Sequence, residues 1–415
     1  MNRKAHSGAE KPAAGCCIAG GGPAGMMLAY LLARAGVDTV VLEKHADFLR
    51  DFRGDTVHPS TLTILDELGL LREFLRRPHQ KLTRLVGDIG GRRLTIADFS
   101  RLKTKCRYVA FMPQWDFLDF LAEKCRAFPH FHLQMQTEVT GLLEEGEKIV
   151  GVRARTDRGP VEVRAQLTVG CDGRHSVVRE CAGLKVRNLG APIDVLWFRV
   201  GREQGAFDQT FTHVDGGHFL ITLDRGDYWQ CAYVIPKGGS EGVRKRGLEA
   251  FRREVVEAAP ALREHIGDVK SWDDVKLLAV AVDRLERWAR PGLLCIGDAA
   301  HAMSPVGGVG INLAIQDAVA TANLLAGKLG RQEVTEGDLE AVRRRRLFPT
   351  RVTQAIQIQV QNRILVSVLG GRRRRIKPPL LLRILGSSPW LQRIPARIFG
   401  VGVRPEHVHS PQRAA

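Results

Sequence analysis

Two periods of hydrophobic and polar positions follow one another along this chain. Residues 16–43 open on the apolar run Cys-Cys-Ile-Ala and pass through Gly-Gly-Gly-Pro-Ala-Gly. They continue as Met-Met-Leu-Ala-Tyr-Leu-Leu-Ala and close on Val-Asp-Thr-Val-Val-Leu-Glu. That order predicts a buried strand, a glycine turn, a core helix and a second buried strand. Leu62, Leu65, Leu68 and Leu71 recur at helical spacing, so a helix is expected over 61–71, opened by His58-Pro59-Ser60. Runs at 82–89 and 92–99 flank Gly90-Gly91, a two-residue hairpin signal. Pro113 starts a helix over 114–127, with Phe117, Leu118, Leu121 and Cys125 on one side. Strands are expected at 132–137, 149–156 and 161–169, the last running into Gly170-Cys171-Asp172-Gly173 and a helix over 176–182.

From 193 to 235 the pattern shortens. Runs at 195–200, 218–223 and 228–235 are separated by turns at Asp215-Gly216-Gly217 and Arg225-Gly226-Asp227. This predicts an antiparallel meander, a layer distinct from the first. A helix over 247–258 follows, and 275–285 returns toward the first layer. Residues 292–298 read as a buried strand ending in Asp298, 299–310 as a Gly/Pro loop, and 311–329 as a long helix. Helical spacing continues over 343–368, with Pro349 as a break. A charge run at 372–375, Pro378-Pro379, and short apolar-basic helices at 380–385 and 394–399 complete the chain.

Composition narrows the class. Of 415 residues 44% are hydrophobic, normal for a globular protein with a substantial core. No run of eighteen apolar residues occurs, so no membrane span is expected. Residues 1–14 lack the apolar stretch of a signal peptide and read as a disordered leader. Eight scattered cysteines without a C-x-x-C pair suit buried, reduced thiols in a cytoplasmic protein and give no metal-ligand set. The net charge of +17 is unevenly placed: sixteen basic residues and a single acid, Glu406, lie in 341–415. The basic balance therefore belongs to that segment, as a solvated cap or as a peripheral contact with anionic membrane. Sparse aromatics there argue against nucleic acid.

Gly20-x-Gly22-x-x-Gly25 sits at the first strand-to-helix junction, with Glu43 ending the next strand. In a dinucleotide-binding turn the three glycines allow the tight turn, the approach of a pyrophosphate and the packing of helix on strand, and the acid accepts ribose hydroxyls. Asp298, ending a buried strand, can accept hydrogen bonds from a polyol. Gly307, Gly308 and Gly310 precede a long helix whose free N–H groups and dipole favour negative charge.

Gly20–Gly25, Cys171-Asp172-Gly173, and Gly297-Asp298 followed by His301, Pro305, Gly307, Gly308, Gly310 and Asn312 together resemble the flavin-dependent aromatic hydroxylases. These are the class A monooxygenases typified by p-hydroxybenzoate hydroxylase, and the likeness covers roughly residues 15–330. It implies an α/β (α+β) fold, a Rossmann-type FAD-binding domain with an inserted antiparallel β-sheet substrate domain and a helical basic C-terminal segment. The expected FAD-binding domain comprises 15–80, 100–190 and 275–345, the substrate domain 81–99 and 191–274, and the C-terminal segment 346–415.

By resemblance, Gly20, Gly22, Gly25 and Glu43 contact the ADP half of FAD, and Arg53 contacts FAD and lies beside the NAD(P)H path. Gln114 is a flavin-side glutamine, and Asp172 with His175 belongs to a motif linked to FAD and NAD(P)H. Asp298 binds the ribityl chain; Gly310 and the catalytic positions Pro305, Gly308 and Asn312 lie beside the isoalloxazine ring. NADPH or NADH would be a transient co-substrate, and O2 would add to the flavin as a hydroperoxide that hydroxylates an aromatic or polyketide-like molecule. His213, Phe219 and Tyr228 are the candidate substrate contacts on the meander. No match to the family's residues for a small phenolic acid is found, so a larger, polycyclic substrate is expected. A prenyl reductase-like FAD dehydrogenase, and a redox-silent flavoprotein that holds a labile intermediate, are the alternative readings.

Overall fold

The computed structural model describes residues 14–49, 56–202, 211–362, 378 and 380–413. The expected leader lies outside them except for Ala14, which begins the strand Ala14–Ala19. That strand is central to a sheet whose parallel members run in the order Leu293–Cys295, Gly159–Gly170, Ala14–Ala19, Thr39–Leu42 and Phe131–Gln134. A parallel sheet is covered on both faces, so its strands are continuous apolar runs rather than alternating ones. Cys16, Cys17 and Ile18 accordingly have no exposed surface. Glu138–Glu145 and Lys148–Thr156 form a hairpin paired onto Gly159–Gly170. The first of these strands escaped the sequence reading because its apolar positions, Val139, Leu142 and Leu143, do not alternate cleanly around Gly141.

Pro23–Arg34 is buried at ten of its twelve residues, so it has almost no polar face and can only be a core helix. Gly310–Arg331 packs along it. The stretch Val306–Arg331 is long and apolar enough to cross a membrane, but 78% of its apolar 18-residue window is buried inside the molecule.

The second layer is a seven-stranded sheet in the order Lys276–Leu278, Ile193–Gly201, Tyr228–Pro236, His218–Asp224, Phe211–Asp215, Arg84–Ile89 and Arg92–Asp98. Its neighbours are antiparallel except Phe211–Asp215 and Arg84–Ile89, which are parallel. Strand alternation gives it two faces. Leu196, Phe198, Leu220, Cys231 and Tyr233 pack with Phe251 and Val255 of the helix Leu248–Ala258. The inner face carries Val195, Trp197, Phe219, Ile221, Ala232 and Val234, and it meets Val306 of the loop before the long helix.

Two elements differ from expectation. The helix Glu336–Val360 starts earlier, at a capping box of Thr335 and Asp338, and it runs through Pro349 and through position 346 without a break. An interior proline costs about 3 kcal/mol. Here it is outweighed by buried polar contacts on the same helix, described below. In its described part, 380–413, the basic C-terminal segment is also more than a solvated cap. Arg393–Gly400 places Ala396 in a cluster with Phe99 and Leu102. The chain then crosses the first layer as a strap. Glu406 pairs with Arg345 and Arg346, Asn323 binds the backbone of His407 and His409, and Arg413 N donates to Arg34 O.

Candidate active site

The turns after Ala14–Ala19, Gly159–Gly170 and Leu293–Cys295 lie side by side, because these are adjacent parallel strands leaving the sheet at the same edge. They touch. A Cβ on Gly20 would come within 2.6 Å of Cys171 O, and one on Gly297 within 3.2 Å of Ala24 Cβ. Gly25 is equally forced, since its Cβ would lie 2.0 Å from Gly20 O. Gly22 is different. Its backbone is extended (φ −74°, ψ −175°), and a Cβ there would meet no protein atom within 4 Å. Nothing inside the protein asks for glycine at this position, whereas a phosphate brought to the helix end would. No side chain caps Pro23–Arg34, so its first N–H groups are left for an anion. Glu43 is held at the mouth of the turn: Oε2 accepts from Gly21 N (2.9 Å) and Oε1 from His45 N (3.1 Å). Arg53 lies outside the described residues.

Asp172 sits where the motif places it, but its carboxylate turns inward. Oδ1 accepts from Ser176 Oγ (2.5 Å) and Oδ2 from Val178 N (3.1 Å), so it braces the start of Val177–Cys181. Burial raises its pKa more than these hydrogen bonds lower it. Arg174, from the same turn, lies 3.8 Å from Asp298 Oδ2. His175 falls in that turn as well. Asp298 follows Leu293–Cys295 in the short helical turn Gly297–Ala299 and is partly exposed.

The 305–310 loop is shaped by Gly307 (φ +80°) and Gly308 (φ +62°), a left-handed pair that a side chain would strain. A Cβ on Gly307 would strike the Phe399 ring at 2.5 Å, and one on Gly308 would strike Thr56 Oγ1 at 2.7 Å. Thr56 Oγ1 donates to Gly308 O (3.0 Å). The following helix begins at Gly310 with no side-chain cap. Asn312, expected as a catalytic side chain, is instead a buried brace. Its Oδ1 accepts from His58 N (3.1 Å) and Thr61 Oγ1 (2.7 Å). His58 Nδ1 donates to Phe399 O (2.7 Å); burial lowers the His58 pKa to about 4, against the pull of that carbonyl. Pro305 precedes the loop's glycines, and Gln114 opens the helix Gln114–Cys125 just after Val109–Phe111, the strand that pairs with Thr56–Val57.

Behind the turns lies a charge network the sequence did not disclose. Asp317 Oδ2 accepts from Gly297 N (3.1 Å) and from His301 Nε2 (2.6 Å), while Oδ1 accepts from Arg346 Nε (2.7 Å). Arg346 also reaches Glu406 Oε1 (3.4 Å) in the strap. Burial alone would raise the Asp317 pKa, but His301 and Arg346 outweigh it and hold the carboxylate low. His301 is therefore a hydrogen-bond partner of Asp317 buried inside the core. Helical polar positions at 346, 350, 354, 357 and 361 were the available signal, but without tertiary information they read as a solvent face.

On the seven-stranded sheet, Phe219 and Tyr228 lie on the inner face, with the Arg199 guanidinium 4.9 Å from the Tyr228 ring centroid. His213 does not. Its register partner is Leu220, itself paired with Tyr233, and both belong to the face covered by Leu248–Ala258. As a substrate contact His213 is corrected; alternation puts it on the opposite side, where burial lowers its pKa to about 4. The inner face also holds Trp197 Nε1 and Gln230 Nε2, buried donors without a protein partner.

A family model described as "FAD binding domain" matches residues 14–356. The chain is 34% identical over 384 residues to 6-methylpretetramide 4-monooxygenase of Streptomyces rimosus, covering 92% of this chain and 91% of that one. It is 29% identical over 315 residues to the rifampicin monooxygenase of Streptomyces venezuelae, covering 72% of this chain and 61% of that protein. Among solved structures, PqsL of Pseudomonas aeruginosa, described as a probable FAD-dependent monooxygenase, aligns with a TM-score of 0.69 at 25% identity. That alignment covers 87% of this chain and 97% of PqsL.

Proposed function

This chain belongs to the FAD-binding-domain family, and on that premise we propose that it hydroxylates a polycyclic, polyketide-type aromatic substrate. It is an FAD-dependent monooxygenase, and NADPH or NADH is the reductant. The observation that carries the substrate side is the inner sheet face. Phe219, Tyr228 and Trp197 present aromatic surface there, and Trp197 Nε1 and Gln230 Nε2 are buried donors lacking an acceptor. Leaving such donors unmet costs about 1–3 kcal/mol each, which carbonyl or phenol oxygens of a bound substrate would recover. A substrate such as 6-methylpretetramide, named for the 34% identical relative, has this character.

The cradle fits FAD on its own geometry, because Gly22 opens toward no protein atom beside an uncapped helix end. Bound there and reduced by NAD(P)H, FAD supplies the activation of O2. The chain's own share is positional. Glu43 fixes the turn by its bond to Gly21 N, and Asp298 stands at the strand end where a ribityl chain would run. The uncapped start of Gly310–Arg331 directs N–H groups toward charge that develops next to the 305–310 loop. The inner sheet face excludes water above that loop through Val306 and its apolar neighbours.

The reading also places the enzyme in a reducing compartment, the cytoplasm, since all eight cysteines are unpaired. It includes transient contact with anionic bilayers through Leu380 (68% exposed), Ile384 (47%), Trp390 (70%) and Ile394 (50%), which stand among arginines. Vesicle co-sedimentation at low salt tests that contact. The enzymatic proposal is tested with FAD-loaded protein, NADPH and 18O2 on a panel of polycyclic phenols beginning with 6-methylpretetramide. Label in the product matched to NADPH consumed is the expected result; NADPH oxidation with no labelled product from any member overturns it.

A further inference from the structure

We infer that Gln357, one member of a buried polar stripe, is the positioning residue for the 304–308 backbone, and that its amide sets the geometry of the flavin-facing loop. The stripe runs along one side of Glu336–Val360 and its next turn: Arg346, Thr350, Gln354, Gln357 and Gln361, each at most 1% exposed. The spacing of three or four residues puts all five on one helix face. That face follows the backbone from Gly297 to Val306. Arg346 reaches Gly297 through Asp317. Gln354 Nε2 donates to Asp283 O (2.7 Å) and Ala302 O (3.1 Å). Gln357 makes all three of its bonds within 304–306: Nε2 donates to Ser304 O and Val306 O, both at 2.9 Å, and Oε1 accepts from Ser304 N (3.2 Å). Gln361 Nε2 adds a bond to Ser304 Oγ.

Packing alone would be served as well by leucine or methionine, and burying an amide brings a desolvation cost of about 1–3 kcal/mol if any bond is unmet. What the amide adds is direction. Three bonds from one side chain fix both sides of Pro305, immediately before the left-handed pair Gly307 and Gly308. The loop has no regular-structure ladder of its own to hold it at that point, and a displacement of about 1 Å at a catalytic loop can cost roughly 100-fold in rate. Gln357 thus acts on the chemistry through the loop and does not touch the flavin. The inference rests on the reading of 305–310 as the flavin-facing loop.

The test compares the FAD-loaded wild type with Gln357→Met, Gln354→Met and Gly308→Val. Thermal unfolding of the apoprotein, the FAD dissociation constant, the flavin visible spectrum and the anaerobic rate of reduction by NADPH are measured for each. For Gln357→Met the expected result is FAD affinity within about threefold of wild type, a shifted visible spectrum, and reduction slowed about 10- to 100-fold. Gln354→Met, whose bonds end upstream at Ala302, should lower stability without slowing reduction. Wild-type spectrum and reduction rate in Gln357→Met overturn the inference. So does a Gln357→Met protein whose folding and FAD affinity collapse together, because that marks a merely structural role. Gly308→Val separates the two claims: if it too leaves spectrum and rate unchanged, the placement of the loop beside the flavin is what fails.

Discussion

Replacing Gly22 should separate cofactor binding from folding. The backbone at 22 lies in the extended region open to any residue, and an added Cβ meets no protein atom within 4 Å. Loss of glycine at this helix N-cap therefore costs the fold only about 1 kcal/mol, the preference of that position for glycine over valine, a change in Tm of about 1–3 °C for a domain of this size. The same Cβ occupies the space a pyrophosphate must enter to reach the uncapped N–H groups of Pro23–Arg34. One lost hydrogen bond to a charged group is worth about 1.5–3 kcal/mol, or roughly 10- to 100-fold in Kd, and valine's two methyls extend the exclusion. Gly25 is the comparison, since a Cβ there lies 2.0 Å from Gly20 O and must distort the turn itself. Apoprotein melting and FAD titration by fluorescence should show Gly22→Val folded but FAD-poor, and Gly25→Ala unstable. Gly22→Val that binds FAD with wild-type affinity, or that melts as low as Gly25→Ala, refutes the assignment of this turn.

Asp317→Asn should lower Tm at neutral pH, since breaking a buried pair with Arg346 costs about 3–5 kcal/mol. Because the Asp317 pKa is held below its unfolded value, its contribution is complete above the ordinary carboxylate range and drains away as pH falls through the folded value; acid melting curves should be steep for wild type and shallower for the variant. Phe219→Ala should raise KM for an aromatic substrate, whereas His213→Ala, on the helix-covered face, should change stability alone; equal KM effects would mean the two faces are misassigned. Glu406→Gln should loosen the strap from Arg345 and Arg346, seen as faster limited proteolysis within 400–413; an unchanged cleavage rate would show the strap is held elsewhere.

The parallel layer was legible because its signals are local. A strand, a glycine turn and a core helix need no knowledge of what lies far away, and 16–43 carries all three. The hairpin at Gly90-Gly91 and the strand ending before Asp298 were readable for the same reason. What escaped was set by distant partners. Arg346 and Gln357 look like surface residues until Asp317 and the 304–306 backbone are placed beside them. Pro349 predicts a break until the contacts of its helix are counted against it. His213 has no face until a register is chosen, and a shift of one residue would have moved it to the other side.

The strap also bears on how the molecule is made. Arg34 donates to Ser410 O across 376 residues of sequence, and Leu293–Cys295 must slot in beside Gly159–Gly170, which already borders Ala14–Ala19. At about 5–20 residues per second, translation puts roughly 20–75 s between the two ends of that contact. For much of that interval, until Gln114–Cys125 and Gly310–Arg331 have been made and packed against it, the first helix, destined to be buried at ten of its twelve residues, has apolar surface still to be covered. The cradle for the cofactor therefore closes late, once Leu293–Cys295 has been made and can pair with Gly159–Gly170, and until then the chain depends on chaperones. Slower translation at lower temperature should accordingly raise the soluble, FAD-loaded yield.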